Sequence, residues 1–325
     1  MNMLKRGTLW MAALLALLAL LALAALAPDA ALAEEVKIDE ITFPDEKFRA
    51  YVKRELANGT DSLSDTEIAT VTRINVSSEG ITDLTGIEHF TALTSLNCSN
   101  NALTALDVSG NTQLTSLDCS INQLTALEVS VCTALETLDC SGNNLTKLDV
   151  SKNTKLTDLY CSSNQLTTLD VSKNTELTDL YCSSNQLTAL NVSKNTKLTD
   201  LYCFNNNLTA LDVSENLNML NCSSNQLTKL DVSGIAQLKI LICSENQLTE
   251  LNVSSNTDLV SLVCSNQKAE LNVNRANDNW SVNLSEEIGA GVTSINLSGS
   301  PEASQAAVEG TTVSWNRGRV EVSYI

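Results

Sequence analysis

Nine cysteines recur along the chain at a nearly constant interval of 21 residues, and thiols in such a column could do three kinds of chemistry. They are Cys98, Cys119, Cys140, Cys161, Cys182, Cys203, Cys222, Cys243 and Cys264. Thiols in an exported protein pair as disulfides, and clustered thiolates bind metal ions. Free cysteine also packs as a small buried hydrophobe. The residues around each cysteine decide between these alternatives.

Each cysteine lies inside a near copy of one phrase, which reads LTSLNCSNNALTALDVSGNTQ at Leu93 to Gln113. The phrase starts again at Leu114, Leu135, Leu156, Leu177, Leu198, Leu217, Leu238 and Leu259. A sequence that repeats at this period predicts a solenoid, in which each unit buries its apolar side against its neighbours. The unit that begins at Leu198 is two residues short. The last unit lacks one residue if Leu271 takes the place of Leu251.

Each repeat contains two similar halves, in which apolar and polar residues alternate as in a strand with one buried face. We therefore expect two short parallel strands in each coil and two ladders along the solenoid. Asn101 and its equivalents follow the first strand, and their amides should bond backbone groups at the turn. Asn111 begins a second asparagine column, which includes Asn153, Asn174, Asn195 and Asn216 and is broken at Cys132 and Ile235.

The phrase Leu93-x-x-Leu96-x-Cys98-x-x-Asn101 resembles the consensus of leucine-rich repeats, in the 21-residue class of the internalin-like bacterial surface proteins. The resemblance covers residues 71–273 and implies a leucine-rich repeat solenoid with two short parallel β ladders. It places the cysteines at an inward apolar position. Buried reduced thiols are therefore favoured over disulfides between neighbouring coils, whose parallel side chains suit that bond poorly, and over a metal array.

Four segments are predicted along the chain. Residues 1–33 resemble a secretory signal peptide, with Lys5 and Arg6 before an apolar run and Ala31-Leu32-Ala33 as the cleavage site, although an uncleaved anchor is the alternative. Residues 34–70 form a helical N-terminal cap, with Ser64 and Glu67 as a capping box. Residues 71–273 form the solenoid, and residues 274–325 form a small β-rich C-terminal cap.

The composition narrows the classes of partner and activity. The net charge of −18 repels phosphate backbones and anionic membrane surfaces, so we expect no nucleic-acid binding. No second long apolar run follows Ala33, so we expect no membrane insertion once the signal is removed. His89 is the single histidine, which leaves no histidine-based catalytic triad or metal centre. We expect no enzyme activity, no cofactor and no metal site. An active site would need a cleft between the solenoid and its C-terminal cap.

The outward positions of the first strand are the candidate ligand surface, as the resemblance to leucine-rich repeat proteins implies. In the middle coils these positions hold stacked tyrosines and aspartates with a phenylalanine beside them, namely Tyr160, Tyr181, Tyr202, Asp158, Asp179, Asp200 and Phe204. Aromatic rings with carboxylates are typical of glycan and peptide sites. The alternative is that the three near-identical repeats are copies, in which case the tyrosines need no ligand.

The sequence thus predicts an exported recognition protein, secreted or held at the cell surface or in the periplasm. It would act as a monomer and bind a protein or glycan partner through the outward face of its solenoid, in adhesion or in host or cell-surface interaction. The alternative is a structural scaffold of the cell surface without a discrete ligand site.

Overall fold

A computed structural model of the chain describes residues 35–264, 267, 272–274, 307–309, 312–315 and 318–321. The predicted signal segment, residues 1–33, lies outside the described residues, as does most of 274–325. The boundaries of the four predicted segments therefore stay predictions. Within the part of the chain that is described, no helix is long and apolar enough to span a membrane.

The N-terminal segment is helical and folds over the first coil. Strand β1 (Val36–Lys37) pairs antiparallel with β2 (Ser62–Leu63), and helices α1 (Glu46–Tyr51) and α2 (Asp65–Thr70) follow β1 and β2 in turn. Helix α1 continues into a π-helical segment, Val52–Leu56. The predicted capping box at α2 is confirmed, because the Glu67 carboxylate accepts from Ser64 N and Oγ at 2.8 Å each. Phe43 and Phe48, both fully buried, pack edge to face beneath the helices.

One long sheet contains the first strand of every described coil. Its strands are β3 (Arg73–Asn75), β4 (Ser95–Asn97), β5 (Ser116–Asp118), β6 (Thr137–Asp139), β7 (Asp158–Tyr160), β8 (Asp179–Tyr181), β10 (Asp200–Tyr202), β12 (Met219–Asn221), β13 (Ile240–Ile242) and β15 (Ser261–Val263). Neighbouring strands are parallel, and equivalent residues face each other without a register shift. The predicted solenoid is confirmed.

Beyond β15 the same sheet is extended by three further strands. They are β17 (Ala307–Glu309), β18 (Thr312–Trp315) and β19 (Gly318–Glu321). β19 pairs parallel with β15, whereas β17, β18 and β19 pair antiparallel with one another. The described part of the C-terminal segment therefore covers the edge of β15, the first strand of the last coil. Without β19, this edge would present unpaired backbone groups.

The second half of each coil is strand-like in only part of the solenoid. Strands β9 (Ala189–Asn191) and β11 (Ala210–Asp212) form one parallel pair, and β14 (Glu250–Asn252) and β16 (Asn272–Asn274) form another. In each pair, one strand belongs to a coil that does not have 21 residues: β11 to the short coil and β16 to the last coil. Strand pairing on this side therefore occurs next to the coils of unusual length. The second ladder consists of these two pairs among the described residues.

Two details of the irregular coils differ from the alignment expected from the sequence. In the short coil, Ser214 takes the buried ladder position and donates to Asn195 O at 2.8 Å, whereas Asn216 is exposed. The missing residues precede that position, so the chain reaches it earlier. In the last coil Val273, not Leu271, pairs with Leu251. That coil is one residue longer up to this point, not one shorter.

The asparagines at the first turn form a ladder of hydrogen bonds through the interior. Asn164 is typical: its Oδ1 accepts from Leu145 N at 2.9 Å, and its Nδ2 donates to Cys140 O at 2.9 Å and Cys161 O at 3.2 Å. Each amide thus joins two coils and satisfies backbone groups that the turn leaves without partners, as expected. Gln267 is the last member of the ladder among the described residues, and it makes the same three bonds.

The second asparagine column is less completely bonded. Its members are Asn111, Asn153, Asn174, Asn195 and Asn256, all buried. In each, Nδ2 donates to two backbone carbonyls, but Oδ1 accepts from no protein group. The predicted substitutions are confirmed, since Cys132 and Ile235 occupy buried places in this column. An apolar side chain is tolerated there because only carbonyl oxygens lose a partner.

Candidate ligand-binding face

From β4 to β15 the outward positions of the long sheet are half-buried, while the leucine between them is buried. In β7, β8 and β10 the outward residues are an aspartate and a tyrosine. Because these strands pair in register, Asp179 faces Asp158 and Asp200, and Tyr181 faces Tyr160 and Tyr202. The sheet therefore brings together six of the seven candidate residues, in two parallel columns.

The three tyrosine rings form a continuous stack. The ring centroids of Tyr160 and Tyr181 are 4.9 Å apart at an interplanar angle of 46°, and those of Tyr181 and Tyr202 are 4.4 Å apart at 17°. Burial raises the pKa of Tyr181 to about 12, with smaller contributions from the neighbouring tyrosine and aspartates. Tyr181 therefore stays neutral at physiological pH.

The aspartate column is held by the threonine that precedes each member. Asp158, Asp179 and Asp200 each accept from the adjacent threonine hydroxyl, at 2.6 to 2.8 Å. Burial and then the like charges of Asp158 and Asp200 raise the pKa of Asp179, while its threonine bond partly opposes them. The carboxylates are positioned by the fold but lie close enough to repel one another.

Phe204, the seventh candidate, lies outside the two columns. It follows Cys203 at the turn after β10, is half-buried, and accepts a backbone bond from Ser184 N at 2.9 Å. The structure therefore places it beside the end of the tyrosine stack and not within it.

A hollow of about 380 Å³ opens on the same sheet face, on the N-terminal side of the tyrosines. Its polar lining includes Arg73, Asn97, Asp118 and Asp139, and Tyr160 stands at its far end. Burial raises the pKa of Asp139, and the neighbouring Asp118 adds to the shift. Sequence reasoning named the tyrosine coils but missed this hollow. The signal for it was the pair of aspartates at the tyrosine position in the two preceding coils.

The tyrosines replace a residue that caps the next turn in other coils. Asn97, Asp118, Asp139 and Asn221 occupy the equivalent position, and in each the side-chain oxygen accepts from the backbone N–H of the serine two residues later. A tyrosine cannot make this bond from the same place. In the coil of Tyr181, the hydroxyl of the corresponding serine, Ser183, is buried without a hydrogen-bond partner. The backbone N–H of Ser183 donates instead to Ser162 Oγ of the preceding coil, at 3.1 Å.

Acidic residues in the second half of the coils have a structural role. Asp107, Glu128, Asp149, Asp170 and Asp231 each accept from the serine N–H two residues later, at 2.8 to 2.9 Å. These bonds, to the serine backbone or hydroxyl, lower the pKa of each carboxyl group. The acidic residues on this side of the solenoid therefore cap its turns.

All ten cysteines are free and buried. Burial raises the pKa of Cys98, Cys182, Cys222 and Cys264 to about 12, and that of Cys132 to about 11. Thiols in this state are poor nucleophiles and poor metal ligands, because both roles need the thiolate. The interpretation of the column as a packing feature is confirmed. Among the described residues, no group of three or more histidine, cysteine and acidic side chains could hold a metal ion.

Comparison with known proteins agrees with this architecture. A crystallised domain described as "Functional domain of InlJ from Listeria monocytogenes includes a cysteine ladder" is 40% identical, with a TM-score of 0.60, over 74% of this chain and 58% of that one. The family profile described as "Endo-beta-N-acetylglucosaminidase EndoS LRR domain" matches residues 43–174. The solenoid of this chain has the leucine-rich repeat fold.

Two further comparisons show the extent of the similarity in sequence and in fold. Internalin J of Listeria monocytogenes serotype 4b is 47% identical over 71 residues, which are 22% of this chain and 8% of internalin J. The chain therefore spans a small part of that relative's length. The LRIM1/APL1C complex shares the fold alone, at 23% identity and a TM-score of 0.57, over 64% of this chain and 42% of that one.

Proposed function

We propose that the chain is an exported, non-enzymatic recognition protein that binds a protein or glycan partner through the face containing Asp158, Tyr160 and their equivalents. The observation that supports this most is the tyrosine stack. Three half-buried rings lie in register at a position that caps the turn in other coils, so turn capping does not account for them. Flat rings beside fixed carboxylates supply apolar contact together with directional hydrogen-bond acceptors.

The proposed setting is the outside of the cytoplasm, as a monomer, either secreted, in the periplasm or at the cell surface. The support is the signal-like sequence of residues 1–33 and the likeness to internalin J. Adhesion to a host or to a cell surface is the corresponding role. The segments 34–70, 71–273 and 274–325 would act as cap, recognition solenoid and cap.

A scaffold without a discrete ligand site is the second candidate. It is favoured by the near identity of the repeats at Leu156 and Leu177, which share the phrase LTDLYCSSNQLT. Duplication of one coil would produce a tyrosine column with no selection for a partner, and stacked rings also contribute to pairing between strands.

A triple substitution separates the two candidates. The tyrosine variant carries Tyr160→Ala, Tyr181→Ala and Tyr202→Ala, and it is compared with the unmodified chain on glycan arrays and on panels of extracellular proteins. The recognition proposal expects at least one ligand whose binding falls more than about tenfold, the effect of losing two or more central aromatic contacts. Unchanged binding to every ligand that the native chain captures would favour the scaffold.

A matched control keeps this test specific to the face. Lys147→Ala, Thr168→Ala and Lys229→Ala change three exposed side chains at one equivalent position in the second half of their coils. This control variant should bind as the native chain does. Circular dichroism of both variants verifies that the solenoid is intact, because the side chains removed lie outside the core.

A further inference from the structure

The outward positions of the long sheet change character along the solenoid. From β5 to β10 they carry five carboxylates and no basic side chain: Asp118, Asp139, Asp158, Asp179 and Asp200. From β12 to β15 four of the six outward residues are apolar and half-buried, namely Met219, Ile240, Ile242 and Val263, and the other two are Asn221 and Ser261. The two halves meet between β10 and β12, where Asp200 lies beside Met219 and Tyr202 lies beside Asn221.

Among the described residues, no salt bridge joins the five aspartates of the acidic half to a basic side chain, and Arg73 is the basic residue that lines the hollow beside Asp118 and Asp139. The carboxylates of Asp118 and Asp139, and those of Asp158 and its two neighbours, lie on adjacent strands about 4.8 Å apart. Burial and the nearby like charges raise the pKa of Asp139 and Asp179. A partner with basic groups would relieve this repulsion and would gain from aromatic faces that also attract cations.

The apolar half groups several partly exposed apolar side chains on neighbouring strands. Val260, which precedes β15, is 54% exposed and lies beside the strip formed by Ile240 and Val263. A contiguous apolar patch on a soluble protein commonly marks an interaction site. The patch begins at Met219, on the strand next to that of Tyr202, so one extended partner would contact both the apolar patch and the tyrosine stack.

We propose that this face binds a polypeptide segment whose basic residues lie over Asp118 to Asp200 and whose apolar residues lie over Met219 to Val263. The inference rests on the proposed function and narrows the partner to a protein segment with a fixed direction along the solenoid. The strip from β5 to β15 contains eight strands and is about 34 Å long. An extended segment of about ten residues covers that length.

The test selects random twelve-residue peptides displayed on phage against the immobilised full chain. The expected result is a set of peptides with lysine or arginine confined to one half and aliphatic or aromatic residues confined to the other. Enrichment of peptides without this segregation, or enrichment of none, would overturn the inference.

Two variants assign the halves of each peptide to the halves of the strip. The charge variant carries Asp118→Asn and Asp139→Asn, which keep the turn-capping oxygen and copy the residues found at Asn97 and Asn221. The apolar variant carries Ile240→Thr and Ile242→Thr, which keep β-branched side chains in the strand.

Selected peptides should bind the charge variant about tenfold more weakly at low salt, with a smaller difference at high salt. They should bind the apolar variant more weakly at both salt concentrations. Equal affinity for the native chain and the charge variant would refute the assignment of the basic half.

The tyrosine variant separates this inference from the proposed function. If peptides or glycans lose binding to the tyrosine variant but not to the charge variant, recognition at the face stands and the basic, directional partner is wrong. If binding to the tyrosine variant is unchanged as well, the proposed function at this face fails with it. A neutral glycan captured in a manner that depends only on the tyrosines gives the first of these outcomes.

Discussion

The two asparagine columns should contribute unequally to stability, and Asn164→Ala compared with Asn174→Ala measures the difference. Both residues are buried in the same full-length coil, which begins at Leu156, and the substitution removes the same atoms. Asn164 accepts from one backbone N–H and donates to carbonyls of two coils. Asn174 donates to Val150 O and Asn153 O, at 2.9 Å each, and accepts from no protein group.

The magnitude follows from what each substitution leaves behind. Asn164→Ala leaves the buried Leu145 N–H without a partner, at about 1 to 3 kcal/mol, and weakens carbonyl bonds worth about 1 kcal/mol each. Asn174→Ala costs only the carbonyl bonds and also removes a buried oxygen that has no donor. The cavity is similar in both. We therefore expect Asn164→Ala to lower the free energy of unfolding by about 2 kcal/mol more than Asn174→Ala.

Urea denaturation followed by circular dichroism measures both variants against the native chain. Because the coils of a solenoid need not unfold together, the comparison uses variants with equal slopes against denaturant. A third variant, Asn174→Ile, copies the residue at Ile235 and should be the mildest change in that column. If Asn174→Ala proved as costly as Asn164→Ala, the argument from the unpaired N–H would be wrong.

Three other predictions concern single groups. Ile121 is 60% exposed and has a φ of 52°, a backbone conformation that β-branched residues avoid. In urea denaturation, Ile121→Asn should therefore raise the free energy of unfolding by about 1 kcal/mol, and Ile121→Val should leave it unchanged. At pH 8 a thiol of pKa about 12 is roughly 2,000-fold less ionised than an ordinary one, so Ellman's reagent should label none of the ten cysteines until denaturant is added. Tyr181 should ionise near pH 12 in an absorbance titration, and a pKa near 10 would contradict the burial of the stack. Because the pKa of Tyr181 is higher in the folded than in the unfolded state, the folded state should lose stability as the pH rises above about 10.

Periodicity made most of the architecture predictable. A cysteine or leucine every 21 residues fixes which side chains are buried, and the register of the long sheet follows because every coil repeats the same alternation. The first asparagine ladder was predictable for the same reason. Its hydrogen bonds follow from a buried amide beside a turn.

The departures occur where the period is broken. Ser214, not Asn216, occupies the second column, and Val273, not Leu271, takes the strand position in the last coil. The backbone accommodates the missing or extra residues along the turn, and not at the position given by aligning the repeats. The hollow at Asp118 and Asp139 was missed because depth on a sheet face depends on the size of side chains in adjacent coils, which no single repeat reveals.

The direction of the hydrogen bonds in the long sheet has a mechanical consequence. They connect one coil to the next along the axis, as in Cys161 N to Tyr181 O at 2.8 Å, so a pull on the two ends of the solenoid loads them in line. Bonds loaded in this way yield one after another. A chain held at both ends would lengthen in steps, because each unfolded coil of 21 residues would extend to about 70 Å. Such a rod would absorb tension between two attachment points without separating from either.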